Sequence, residues 1–132
     1  MFEGKEWHGL PGATPDALTE LQAIAPAGVP ASYFTLLSLS NGGEGPLPVH
    51  PLYFCLDSVS EVVERQQTGT YGQPEFQYVF IFGSNGAGEY LALDLRQSLP
   101  WPVVAIDMIA GMESAEVVSE DFDSFLNLVG VE

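Results

Sequence analysis

Apolar positions along this chain recur first with a helical period and later with a strand period. In "TPDALTELQAIA", Leu18, Leu21 and Ala25 share one helical face. Thr14 is placed to cap that helix, Pro15 takes its first position, Asp16 lies at the positive end of the dipole and Pro26 closes it. "ASYFTLLSLS", led in by Pro30 and Ala31, predicts a second helix with Tyr33, Leu36 and Leu37 on one stripe. Phe34 and Leu39 make it apolar over much of its girth, the pattern of a mostly buried helix. Asn41 and Gly42 follow, and either can take the left-handed conformation that ends a helix. "DSVSEVVERQQ" predicts a third helix, with Ser58 and Glu61 as a capping box, Val59, Val62 and Val63 as the buried stripe, and Glu61–Arg65 as an i,i+4 ion pair. "SEDFDSFLNLVG" predicts a fourth, capped by Ser119 and stopped by Gly130, with Phe122, Phe125, Leu126 and Val129 on its apolar face.

Between these helices the period shortens to two. A glycine- and proline-rich approach leads to a short strand near Leu52–Cys55, and a run of strands begins at Gln77: "YVFIF", "EYLALDL", "PVVAIDM" and "AEVVS". "YVFIF" is continuously apolar and is expected at the centre of a sheet, covered on both faces. In "EYLALDL", Leu91, Leu93 and Leu95 alternate with Tyr90, Ala92 and Asp94, as in a half-exposed strand. Early helices, a run of strands and a closing helix predict an α+β fold. The expectation is a single domain over 1–132, with 1–13 as an N-terminal extension. It would hold a mainly antiparallel sheet of about five to six strands packed with about four helices.

Charge changes the picture most. Eighteen acidic residues face three basic ones, Lys5, Arg65 and Arg96, for a formal net charge of −15. Such a surface repels nucleic-acid backbones and anionic membranes, whose binding needs clustered Lys and Arg, and favours encounter with a basic partner. No apolar run approaches the ~18 residues of a membrane span. The N-terminal stretch lacks a basic start followed by an apolar core, so a cytoplasmic location is expected. The lone cysteine, Cys55, excludes an intramolecular disulfide and a thiolate cluster, and its setting "LYFCL" reads as core.

Three glycines in "FIFGSNGAGEYLALDL" raise the question of a phosphate loop. Such a loop needs a helix after it, whose amides point at the anion. Here a strand follows, the Walker lysine and hydroxyl are absent, and Glu89 and Asp94 would repel phosphate. Asn85-Gly86 instead signals a hairpin. The spacing of Asn85, Glu89 and Asp94 does not fit a calcium loop, and His8 and His50 have no accompanying ligands in sequence. No catalytic, cofactor-binding or metal residue is assigned, and no cofactor is expected.

The order of two motifs resembles the SUKH superfamily, whose founder is a fungal cell-wall-synthesis regulator. The first, "VPASYFTLLSLSNGGEGPL", contributes Pro30, Tyr33, Leu36, Leu37, Asn41, Gly42 and Gly43. The second, "FIFGSNGAGEYLALDLR", contributes Gly83, Asn85, Gly86, Gly88, Glu89, Tyr90 and Asp94. The resemblance covers most of the chain from about Thr14. It implies a single α+β domain without catalytic residues, whose shared residues are mostly architectural. Bacterial members are largely immunity proteins that bind polymorphic toxins, many of them nucleases, while fungal members are regulatory interaction modules. Together with the charge, this gives the leading expectation of a domain that occludes a basic toxin by stoichiometric binding, with Glu44, Glu89, Glu113 and Glu116 as candidate contacts. A regulatory module for an endogenous protein is the alternative. The third reading is a small ligand-binding or catalytic protein using a pocket beside Asn41–Gly45 or Gly83–Glu89.

Overall fold

The computed structural model describes residues 2–69, 76 and 78–132. Among these, one antiparallel sheet of seven strands runs in strict chain order: β1 (His8–Gly9), β2 (Gly43–Pro46), β3 (Tyr53–Leu56), β4 (Val79–Ser84), β5 (Glu89–Asp94), β6 (Val103–Asp107) and β7 (Glu116–Ser119). The helices are α1 (Pro15–Ile24), α2 (Ala31–Leu39), α3 (Val59–Thr68) and α4 (Phe122–Leu128), with a short 3-10 helix at Gly111–Ser114. The α+β class and the four helices agree with the sequence reading. The sheet has one or two strands more than expected, because β1 and β2 lie in stretches without strand-like apolar alternation. Gln77 lies outside the described residues, and β4 begins at Val79.

The helix starts follow from local chemistry. Thr14 Oγ1 accepts from the Ala17 amide at 3.2 Å, and Ser58 and Glu61 form the reciprocal capping box on α3. Two helix ends differ from the sequence expectation. The second helix ends in an extended Ser40, and Asn41 reaches across to accept from the Val59 amide at 2.8 Å, satisfying a free donor of α3. The fourth helix is capped by Asp121, whose Oδ1 accepts from the Ser124 amide at 2.7 Å, while Ser119 donates to the Asp121 carbonyl. The longer acidic side chain nearest the first apolar turn takes the cap.

The helix-side core joins Phe80, Phe82, Leu91, Leu93, Val103 and Ala105 of the sheet to α2, α3 and α4. Phe82 makes ring contacts with Tyr33, Phe54, Phe122 and Phe125 at centroid distances of 5.3 to 6.1 Å. On α2, Tyr33, Leu36 and Leu37 are buried, but Leu39 remains 54% exposed, so this helix keeps a solvent side that its composition concealed.

The expectation of a half-exposed fifth strand is corrected. Tyr90 and Ala92 are buried with Val79, Ile81, Val104 and Ile106 in a second cluster on the other face, where Met108, Met112 and Ala115 pack over them. The turn and 3-10 helix after β6 fold back over a face that alternation alone would assign to solvent.

The first thirteen residues are woven into this frame. Trp7 stacks on Phe2 and tilts against Phe54, its indole N–H donates to Ser40 at 3.2 Å, and Lys5 Nζ donates to the Leu126 carbonyl at 2.9 Å.

Gly83 sits where β3 and β4 approach closely. A Cβ there would lie 2.4 Å from the Cys55 carbonyl oxygen and 2.6 Å from the Phe54 ring. Neither the strand backbone nor a packed ring can yield cheaply, so Gly83→Ala is expected to destabilise by about 1–3 kcal/mol, read as a lower denaturation midpoint in urea. An unchanged midpoint would show that β3 and β4 separate without cost.

Candidate functional site

The odd-numbered strands β3, β5 and β7 all begin at one end of the sheet, which places Tyr53, Glu89 and Glu116 at that end. Over it hangs the loop between β2 and β3, held by the Leu47 amide donating to the Leu52 carbonyl at 2.9 Å. His50, on this loop, puts Nε2 3.0 Å from Glu89 Oε2 and 3.8 Å from Glu116 Oε2. Two of the four glutamates singled out from sequence are thus brought together. Glu44 lies apart from them on β2, where its carboxylate accepts from the Tyr53 hydroxyl at 2.6 Å, pushing that phenol up to about 12. Glu113 is exposed on the 3-10 helix, outside the His50 group.

The glycine loop lies at the same end and is closed on itself. Asn85 Oδ1 accepts from the Ala87 and Glu89 amides at 2.8 and 3.0 Å, and Ser84 accepts from the Gly86 amide at 3.2 Å. The amides that a phosphate would need are therefore already engaged. Gly86 and Gly88 take φ of 71° and 103°, as the hairpin requires.

Other motif residues are held by contacts within the fold. Asp94, 3% exposed, accepts from the Arg96 amide at 3.0 Å and from its guanidinium Nε and Nη2 at 2.9 Å each. These bonds hold its carboxyl below the ordinary range. Tyr33 is buried at the centre of the helix-side core, and the region around Asn41, Gly42 and Gly43 joins α2 to the first hairpin.

Arg65 differs from its sequence reading. Its Nη2 lies 2.9 Å from Asp57 Oδ2, and Nη1 donates to the Ile81 carbonyl at 3.2 Å. The carboxylate of Glu61, the expected partner, is drawn to Ser58, accepting from its amide at 3.2 Å and its hydroxyl at 3.0 Å. Burial pushes the Asp57 carboxyl up, against the pull of the guanidinium. Neither this pair nor His50 was legible in spacing, because the loop and strand geometry that closes both contacts leaves no periodic signal.

All three basic side chains are therefore bonded within the chain: Lys5 by carbonyls at the end of α4, Arg65 by Asp57, and Arg96, whose side chain is 43% exposed, by Asp94. The exposed carboxylates are left to repel one another. The neighbouring carboxylate of Glu132 raises the Glu6 carboxyl. For Cys55, burial and the charges of Glu44 and Asp57 push the thiol up, opposite to what a nucleophile needs. Among the described residues no group of three His, Cys, Asp or Glu side chains is arranged to hold a metal ion, and no helix is long and apolar enough to cross a membrane.

A family model for the SMI1 / KNR4 family (SUKH-1) matches residues 12–128. The chain belongs to the SMI1 / KNR4 family. A sequence search of curated proteins returns no match. The SMI1 / KNR4 match begins after β1, so the Trp7 and Lys5 contacts lie outside the matched span, whereas Asp94, Gly83 and the Asn85 hairpin lie within it.

Replacing Asp94 tests its structural part. Asp94→Asn should cost about 1.5–3 kcal/mol near neutral pH, where charged hydrogen bonds are lost. Because folding lowers this carboxyl's pKa, the stabilisation is complete above the unfolded value of about 3.9 and disappears as pH falls through the folded value. The gap between wild type and variant in urea unfolding should therefore close in strong acid. A gap that is constant with pH would exclude the ionic account.

Proposed function

We propose that this SMI1 / KNR4 family chain is a non-catalytic protein-binding domain of the immunity type, acting in the cytoplasm. It neutralises a basic, nuclease-type toxin domain by stoichiometric occlusion. The observation that carries this reading is the commitment of every Lys and Arg side chain to an internal partner, in a chain of net charge −15. A protein so arranged presents carboxylates with almost no cations among them, which steers a cationic groove towards it. The sheet end with Glu89, Glu116 and His50, flanked by Glu44 and Glu113, is the face we assign to the toxin. The acidic field disfavours nucleic acid and anionic membrane as ligands.

The experiment pairs the chain with the toxin domain encoded beside it, measuring rescue of growth on co-expression and binding by calorimetry. One-to-one binding is expected, with affinity falling as salt rises. The double variant Glu89→Lys, Glu116→Lys should associate about tenfold more slowly while keeping its far-ultraviolet spectrum. Failure to bind or rescue against any neighbouring toxin would remove the reading, and normal association by the double variant would move the interface elsewhere.

A further inference from the structure

At the far end of β5 from Glu89, a cleft of ≈ 170 Å³ opens between the loop before α2, the turn between β5 and β6, and the start of α4. Its lining combines Trp101, Leu93 and Phe122 with two prolines, Pro30 and Pro100, and two carboxylates, Asp121 and Asp123. The volume is below the roughly 300–1,000 Å³ of pockets that enclose small-molecule ligands. It suits one large side chain.

The indole is held in place from below. A Cβ on Gly28 would lie 2.7 Å from Trp101 Cη2 and 2.7 Å from Leu99 Cδ2, so only glycine lets the ring settle against that loop. Asp121 is fixed by its cap to Ser124, which holds its carboxyl below the ordinary range, and Asp123 follows in the first turn, exposed. Arg96, the basic residue of the adjoining turn, is tied to Asp94 and does not line the cleft.

The side-chain chemistry of this lining is one-sided. Both carboxylates only accept hydrogen bonds, the prolines have no N–H, and the leucine and phenylalanine side chains contribute none. Save for the indole N–H, the side chains offer acceptors and an aromatic face. A sugar presents both donors and acceptors, and an anion is repelled. A guanidinium has five donors, no acceptor, a permanent charge and a flat face that stacks on indole.

We propose that this cleft receives an arginine side chain of a protein partner, stacked on Trp101 and hydrogen-bonded to Asp121 and Asp123. It is a recognition site at the opposite end of the sheet from the glutamate face, and its test requires no toxin.

The probe is the capped tripeptide acetyl-Gly-Arg-Gly-amide, titrated into the full chain up to tens of millimolar and followed by the indole N–H resonance of Trp101. Loss of one resonance in Trp101→Leu assigns that signal. The arginine peptide should shift it saturably. The citrulline peptide, the same shape without charge, should bind about tenfold more weakly. Asp121→Asn with Asp123→Asn should weaken the arginine peptide by a similar factor, and since Asn caps helices as well as Asp, the fold should survive. No shift with arginine, equal binding of citrulline, unchanged affinity in the double variant, or a stronger response to glucose would each overturn the assignment.

Discussion

The contact on which the rest of this structure depends is the aromatic layer around Phe82. One ring from the central strand β4 meets Tyr33 of α2, Phe54 of β3, and Phe122 and Phe125 of α4. Because this layer joins two helices to the middle of the sheet, it sets the height at which the helices sit. Gly83 then has to be small, since the neighbouring Phe54 ring fills the space where its side chain would stand. The loops at both ends of the sheet are positioned by that packing. The candidate interaction features are therefore carried by a rigid centre.

The second organising fact is electrostatic. A chain with three basic side chains could have spread them over its surface as screening charges. Instead, each holds a particular joint: Lys5 ties the N-terminal strand region to α4, Arg65 ties α3 and Asp57 to β4, and Arg96 closes the turn after β5. With eighteen acidic residues to three basic ones, the exterior field is strongly one-signed. The same economy explains why so acidic a protein retains a conventional core: the repulsive groups lie outside, and the buried ones are paired.

What was legible in the sequence was whatever is local. Thr14, Pro15, Ser58 and Glu61 announce helix starts because capping is settled within one turn. Asn85-Gly86 announces a hairpin for the same reason. The fold class and the four helices followed from such signals. The illegible parts depend on residues far apart in the chain. The second burial face of β5 is supplied by Met108 and Met112, the cap from Asn41 serves a helix eighteen residues on, and Asp57 outcompetes Glu61 for Arg65. Of the candidate site, the individual glutamates could be named from sequence, but the histidine that gathers two of them could not. A loop residue carries no periodicity to say which strand end it will overhang. The cleft beside Trp101 was missed for a related reason, since its walls come from three separate connections.

The sheet is a pure meander, each strand pairing with the next in the chain. Every pairing therefore joins consecutive strands, although the helices between β1 and β2 and between β3 and β4 lengthen two of the connections. Contact order in a β-rich domain normally slows folding, because distant strands must find one another. Here β4 to β7 can assemble hairpin by hairpin, while demanding closures bring Tyr33 to Phe122 and Lys5 to Leu126, the latter across 121 positions. The strands can thus pair locally, whereas the aromatic centre and the first strand both close over long separations.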